Sequence, residues 1–97
     1  MEEKRKFNRW YTQNKATISY EGVKNEVDLL DVSAGGMRFF SDQPLEIGSL
    51  IYGEFKVLSQ LNPFFVKGRV IRTQQKDSNK WEIAVRFEKV STLPLIS

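Results

Sequence analysis

Neither cysteine nor histidine occurs in this 97-residue chain. The first absence removes disulfides, thiolate nucleophiles and cysteine metal sites. The second removes the commonest general base near neutral pH and the commonest transition-metal ligand. Neither a Ser-His-Asp triad nor a zinc site of the usual kind can be assembled without them. Asp28, Asp31, Asp42 and Asp77 show no spacing that marks a glycosidase pair or a metal cage, so the sequence reads as a binding protein and not an enzyme, with no cofactor. Long apolar runs are missing too. None approaches the roughly 18 residues of a membrane helix, and the N-terminal MEEKRKFNRW is charged where a secretory signal is apolar. A cytoplasmic protein without membrane insertion is expected. Repeats, low-complexity tracts and linker-like stretches are likewise absent, and the length fits one domain.

Charge is present in modest excess. Fifteen basic residues against twelve acidic give +3, too little by itself to imply a nucleic-acid partner. Its placement is uneven: Lys4, Arg5, Lys6 and Arg9 crowd near the start, in a segment whose lack of periodicity predicts mobility in the absence of a ligand. The rest reads as strands. Trp81, Ile83, Val85 and Phe87 alternate with Glu82, Ala84, Arg86 and Glu88, the period of a strand with one buried face. Similar runs are Ala16–Tyr20, Val27–Val32, Met37–Phe40, Ile51–Val57 and Phe64–Val70, in which Gly53 and Gly68 are candidates for bends or bulges. Turn residues fall between them, at Glu21-Gly22, Ala34-Gly35-Gly36, Asp42 to Gly48, Asn62-Pro63 and Lys76 to Asn79. Ser91 is a candidate helix cap, but Pro94 leaves any helix there short. Six short antiparallel strands predict an all-β fold closed into a small barrel, since closure removes exposed edges.

Two constellations carry chemistry. Arg5 and Arg9 stand four apart, and a guanidinium can fork onto a phosphate or pair with the O6 and N7 edge of guanine. The bland reading of this stretch is a solvated charged tail. The second is Asp31-Val32-Ser33-Ala34-Gly35-Gly36, between two strands. It reads as a tight turn, with Asp and Ser bonding their own backbone and glycine supplying positive φ. It reads equally as a ligand site, in which Asp31 accepts from the N1–H and N2 amine of guanine and Ser33 exchanges a hydrogen bond beside it. Gly35 and Gly36 would then let the backbone approach the ligand and offer N–H groups to an anion.

The two motifs, in this order, resemble the PilZ family, whose signature is Arg-x-x-x-Arg before a six-stranded barrel and Asp/Asn-x-Ser-x-x-Gly some twenty to thirty residues later. Arg5 and Arg9 fill the first, and Asp31, Ser33 and Gly36 the second. Met37-Arg38-Phe39, Gly68 to Arg72 and Ile83 to Phe87 resemble the family's continuation, so the likeness covers nearly the whole chain. It implies a small six-stranded antiparallel β-barrel of split-barrel type over 15–97, preceded by a ligand-binding arm over 1–14. It also implies that Arg5, Arg9, Asp31, Ser33 and Gly36 bind the bacterial second messenger cyclic di-GMP, with Lys4, Gly35 and Arg38 as secondary candidates. Arg72 and Trp10 are further contacts to consider, although Trp10 also suits one end of the barrel and Phe7 suits an anchor for the arm. Ala84 stands where many members carry glycine, and the family's C-terminal helix is short or absent here. Met1 lies four residues before Arg5, so the response is expected to pass to a separate effector protein. Two other readings stay open. One is a PilZ-like adaptor that binds protein without ligand. The other, a basic barrel on single-stranded nucleic acid, needs exposed aromatics, whereas Trp81 and Phe87 fall on the apparent core face.

Overall fold

The β-branched and aromatic runs pair into six strands: β1 (Thr12–Tyr20), β2 (Val23–Ser33), β3 (Gly36–Ser41), β4 (Leu50–Val57), β5 (Phe64–Asp77) and β6 (Lys80–Ser91). The structure, a computed structural model, describes residues 12–57 and 63–95, with side chains over 15–56 and 63–95. All neighbours are antiparallel, in the order β1-β2-β3-β6-β5-β4, and β4 closes onto β1 to complete a barrel. Closure gives every strand a hydrogen-bonded neighbour on each side, which is how so short a chain protects its strands. The expected fold class is what the chain adopts.

Inward-facing side chains fill the barrel. Phe39, Ile51, Ile83, Val32, Val66 and Val70 are the largest fully buried ones, with Tyr20, Val27, Phe64, Trp81 and Phe87 partly buried against them. Phe55 stacks on Phe87 with ring centroids 6.4 Å apart. Hairpin chemistry sets the register of β1 and β2: Glu21 and Gly22 take φ of 54° and 81°, the two left-handed residues of a two-residue turn matched to strand twist. Gly53 neither bends nor bulges β4, contrary to expectation. It pairs in register with Ile18 and Val66, and a Cβ there would lie 3.0 Å from Val66 Cγ2 and 3.3 Å from Met37 Cε. Its role is to leave room in the core. Gly68 does sit at a register shift.

Bulges decide which residues face out. In β2, Leu29 stands opposite Phe39 and Asp31 opposite Arg38, leaving Leu30 as an extra residue. Strict alternation would put Asp31 on the core face with Leu29. The bulge resets the phase, so that Leu29 and Val32 are buried and Asp31 turns outward. In β5, Val70 pairs with Val85 and Arg72 with Ala84, leaving Ile71 extra; Arg72 is turned outward in the same way. A third shift, between Gln75 and Asp77, leaves Lys76 extra. Leu30 and Ile71 are consequently exposed apolar residues.

Strand β6 departs from the one-sided pattern read in the sequence. Ile83 and Val85 are buried as expected, but so are Glu82 and Ala84 on the opposite face. Flanked by both β3 and β5, this part of the outer face is covered by long side chains from its neighbours. No helix occurs among the described residues. Ser91 ends β6, and its Oγ accepts a hydrogen bond from the Leu93 N–H at 2.9 Å, so it forms a local turn and caps no helix there.

Candidate functional site

The second motif occupies the β2–β3 hairpin, where Ser33 pairs with Gly36 across a two-residue turn of Ala34 and Gly35. Its local bonds are those of a tight turn: the Gly35 N–H donates to Ser33 Oγ at 3.3 Å. Positive φ is not the reason for the glycines, since among the described residues only Gly22 and Gly48 are glycines with positive φ. Gly36 has a different cause. A Cβ on it would lie 2.3 Å from the Val85 carbonyl oxygen, an impossible separation. Gly36 lets β6 come close, and the Phe87 N–H donates to the Gly35 carbonyl at 2.9 Å from the same strand. A Cβ on Gly35 would meet nothing within 4 Å, so that side of the turn has space beside it, although the residue's own N–H and carbonyl are both hydrogen-bonded.

From this turn a polar row crosses the outer face of four strands. Asp31 stands opposite Arg38, Arg38 opposite Ala84, and Ala84 opposite Arg72. The Arg38 guanidinium lies between two carboxylates. Its Nε donates to Asp31 Oδ2 at 3.1 Å and Oδ1 at 3.3 Å, its Nη2 to Asp31 Oδ2, and its Nη1 to Glu82 Oε2 at 2.8 Å. Glu82 is 5% exposed. It receives two further cations, Arg72 Nη2 at 3.4 Å and Lys76 Nζ at 3.2 Å.

The electrostatics follow from these contacts. Burial pushes the Glu82 carboxyl up, but hydrogen bonds from Lys76 and Arg38 outweigh it and leave the group below its ordinary value. Asp31, through its hydrogen bond, lifts the Arg38 guanidinium above its ordinary range. By formal charge, the two acids and three bases of this row sum to one positive charge. A site of this kind presents carboxylate and guanidinium side by side, which suits a ligand that carries both hydrogen-bond donors and negative charge. Among the described residues no group of three or more carboxylates is placed to hold a metal ion.

Of the sequence-predicted site residues, the fold brings Asp31, Ser33, Gly35, Gly36 and Arg38 together on one hairpin. Lys4, Arg5 and Arg9, with Phe7 and Trp10, lie outside the described residues. Glu82 was not anticipated. Alternation assigns it to solvent, and the signal that identifies it is register, which sequence does not supply. A separate cleft of about 340 Å³ opens beside β1, β2 and β3, lined by Lys15, Asp28, Phe40, Asp42 and Lys80 among others. It includes none of the predicted residues, and its Asp28 is bound to Lys15 at 2.8 Å while Lys80 lies over the Phe40 ring at 4.6 Å. The motif hairpin, and not this cleft, holds the predicted residues and pairs a carboxylate with a guanidinium.

Comparisons with known proteins bear on the same architecture. Bacillus subtilis MotI/DgrA, an inhibitor of motility, superposes with a TM-score of 0.73 at 14% identity, over 93% of this chain and 45% of that one. The Borreliella burgdorferi PlzA protein, solved in complex with c-di-GMP, superposes with a TM-score of 0.62 at 17% identity, over 88% of this chain and 34% of its own. At these identities the likeness is one of fold, and this chain spans less than half the length of either protein. No curated protein sequence matches the chain. The family profile described as PilZ domain matches residues 3–94, a span that takes in both motifs and all six strands, and this chain therefore belongs to the PilZ domain family.

Proposed function

We propose that this domain is a receptor for cyclic di-GMP that passes its signal to a separate protein. The observation that carries the reading is the placement of Asp31: a bulge turns its carboxylate outward beside the open Ser33–Gly36 turn. There the carboxylate accepts the guanine N1–H and N2 amine, Ser33 supports the same base, and Arg5 and Arg9, with Lys4 beside them, reach the phosphates and the second guanine edge. Gly35 admits the ligand to the backbone, while Gly36 serves by letting β6 approach.

In this reading the arm expected over 1–14, whose residues 12–14 belong to β1, closes on ligand over the barrel and presents a new surface to the effector. Four charge-assisted bonds at about 1.5–3 kcal/mol each give a gross gain of about 6–12 kcal/mol. Ordering several residues costs on the order of 1–2 kcal/mol each, which leaves a micromolar dissociation constant as the expectation. The domain does its work by binding, without catalysis, in the cytoplasm; among the described residues no helix is long and apolar enough to cross a membrane.

A nucleic-acid reading finds less support, because every described aromatic side chain is at least partly buried and base stacking needs an exposed platform. Isothermal titration with cyclic di-GMP, against GTP and cyclic di-AMP, tests the receptor reading. Selective micromolar binding is expected; absence of heat and binding would move the assignment to a ligand-independent adaptor.

A further inference from the structure

A carboxylate buried on the outer face of a small barrel calls for an explanation. Glu82 neighbours Ala84 on that face of β6 and is as thoroughly covered. Removing a charged pair from water costs free energy that its mutual attraction only about repays, so an apolar side chain at this position would serve stability as well or better. What Glu82 does that an apolar residue cannot is hold cations, and it holds three, from β3 and β5.

The most consequential of these is Arg38. A guanidinium has five N–H donors in a fixed plane. Three are directed at carboxylates: Nε and one Nη2 hydrogen at Asp31, and one Nη1 hydrogen at Glu82. Gripped from both ends, the group is fixed in orientation while its side chain stays 39% exposed. Asp31 in turn is fixed by the Nε and Nη2 edge. Without Glu82, Arg38 would lose one of its two carboxylate anchors and regain rotamer freedom while it bonds Asp31.

We infer that Glu82 is a positioning residue for the ligand site: through Arg38 it fixes the Asp31 carboxylate that reads the ligand. Arg72 and Lys76, both on β5, hold the anchor itself in place. The inference rests on the receptor reading above and adds to it a residue on β6 that carries no part of either motif. Pre-ordering of this kind improves affinity by removing an ordering cost at the moment of binding.

The test is a double-mutant cycle on cyclic di-GMP affinity with Glu82→Gln, which keeps the size of the side chain, and Arg38→Met. Each single variant should weaken binding about three- to tenfold, and the double variant should bind like Arg38→Met alone, because the effect of Glu82 passes through Arg38. A Glu82→Gln variant within about twofold of wild type, or losses that multiply in the double variant, would overturn the inference while leaving the receptor reading intact. Failure of the wild type to bind cyclic di-GMP removes both. A second readout needs no variant to fold. In the wild type at neutral pH, the Arg38 Nε–H should give a sharp NMR cross-peak protected from exchange with water. An Arg38 Nε–H that exchanges as freely as an exposed arginine in the wild type contradicts the anchoring.

Discussion

Gly35 and Gly36 are adjacent, belong to one motif, and should respond oppositely to alanine. At Gly36 a Cβ would lie 2.3 Å from the Val85 carbonyl oxygen, 3.4 Å from its carbon and 3.5 Å from Arg86 Cα. Backbone cannot swing away as a side chain can, so β3 and β6 must part by at least 0.7 Å for that contact to reach 3.0 Å. The displacement falls on the Gly36–Arg86 pair in the ladder. Gly68 makes β6 harder to move, because a Cβ there would already lie 2.4 Å from the Arg86 carbonyl oxygen on the other side of the strand. Overpacking of this order costs about 1–3 kcal/mol. With about 4–8 °C per kcal/mol in a domain of this size, Gly36→Ala should melt roughly 8–16 °C lower for a loss of about 2 kcal/mol. Gly35→Ala meets nothing within 4 Å and no positive φ. Its restriction of the unfolded chain should leave stability unchanged or raised by about 0.4–1 kcal/mol. Thermal melts followed by circular dichroism measure both. Equal melting temperatures, or a greater loss at Gly35, would falsify the claim that the motif's final glycine exists for strand approach.

Three further outcomes are expected. Arg9→Ala should weaken cyclic di-GMP binding by about tenfold or more, through loss of a charge-assisted contact; calorimetry at near wild-type affinity would remove Arg9 from the site. Gly22→Ala should destabilise by about 1 kcal/mol in urea unfolding, because the turn holds it at φ 81°; an unchanged midpoint would contradict the left-handed turn. Glu82 is held below its ordinary value of 4.5. It therefore contributes stability that is present above that value and is lost as pH falls through the lower folded value, when Arg38, Arg72 and Lys76 lose their shared partner. Urea midpoints taken from about pH 6 down to about pH 3 should fall more steeply for wild type than for Glu82→Gln, and parallel curves would contradict the pairing.

Much of the barrel was legible because one face of each strand is buried, and burial leaves a period of two in the sequence. All six runs are strands. Breaks in that period were visible but not interpretable: Val27 and Leu29 are followed by Val32 and not by an apolar residue at 31. The structure makes that break a bulge at Leu30 and ties it to the outward turn of Asp31. The motif hairpin was likewise read correctly as a turn, while the reason for Gly36 was not, because it lies in β6, some fifty residues downstream. Glu82 marks the limit most clearly. Its partners Arg38, Arg72 and Lys76 come from other strands, and only barrel closure and register bring them to one carboxylate. Composition shows an ordinary charged residue on an alternating strand.

The central claim is that the ligand binds on the outer face at the β2–β3 hairpin. It is tested most directly by titrating isotopically labelled protein with cyclic di-GMP and following its backbone amide signals. The account predicts that the largest shifts fall on Asp31 to Arg38 and on Glu82 to Ala84 across the row. Shifts confined to Lys15, Asp28, Phe40 and Lys80, around the neighbouring cleft, would contradict it.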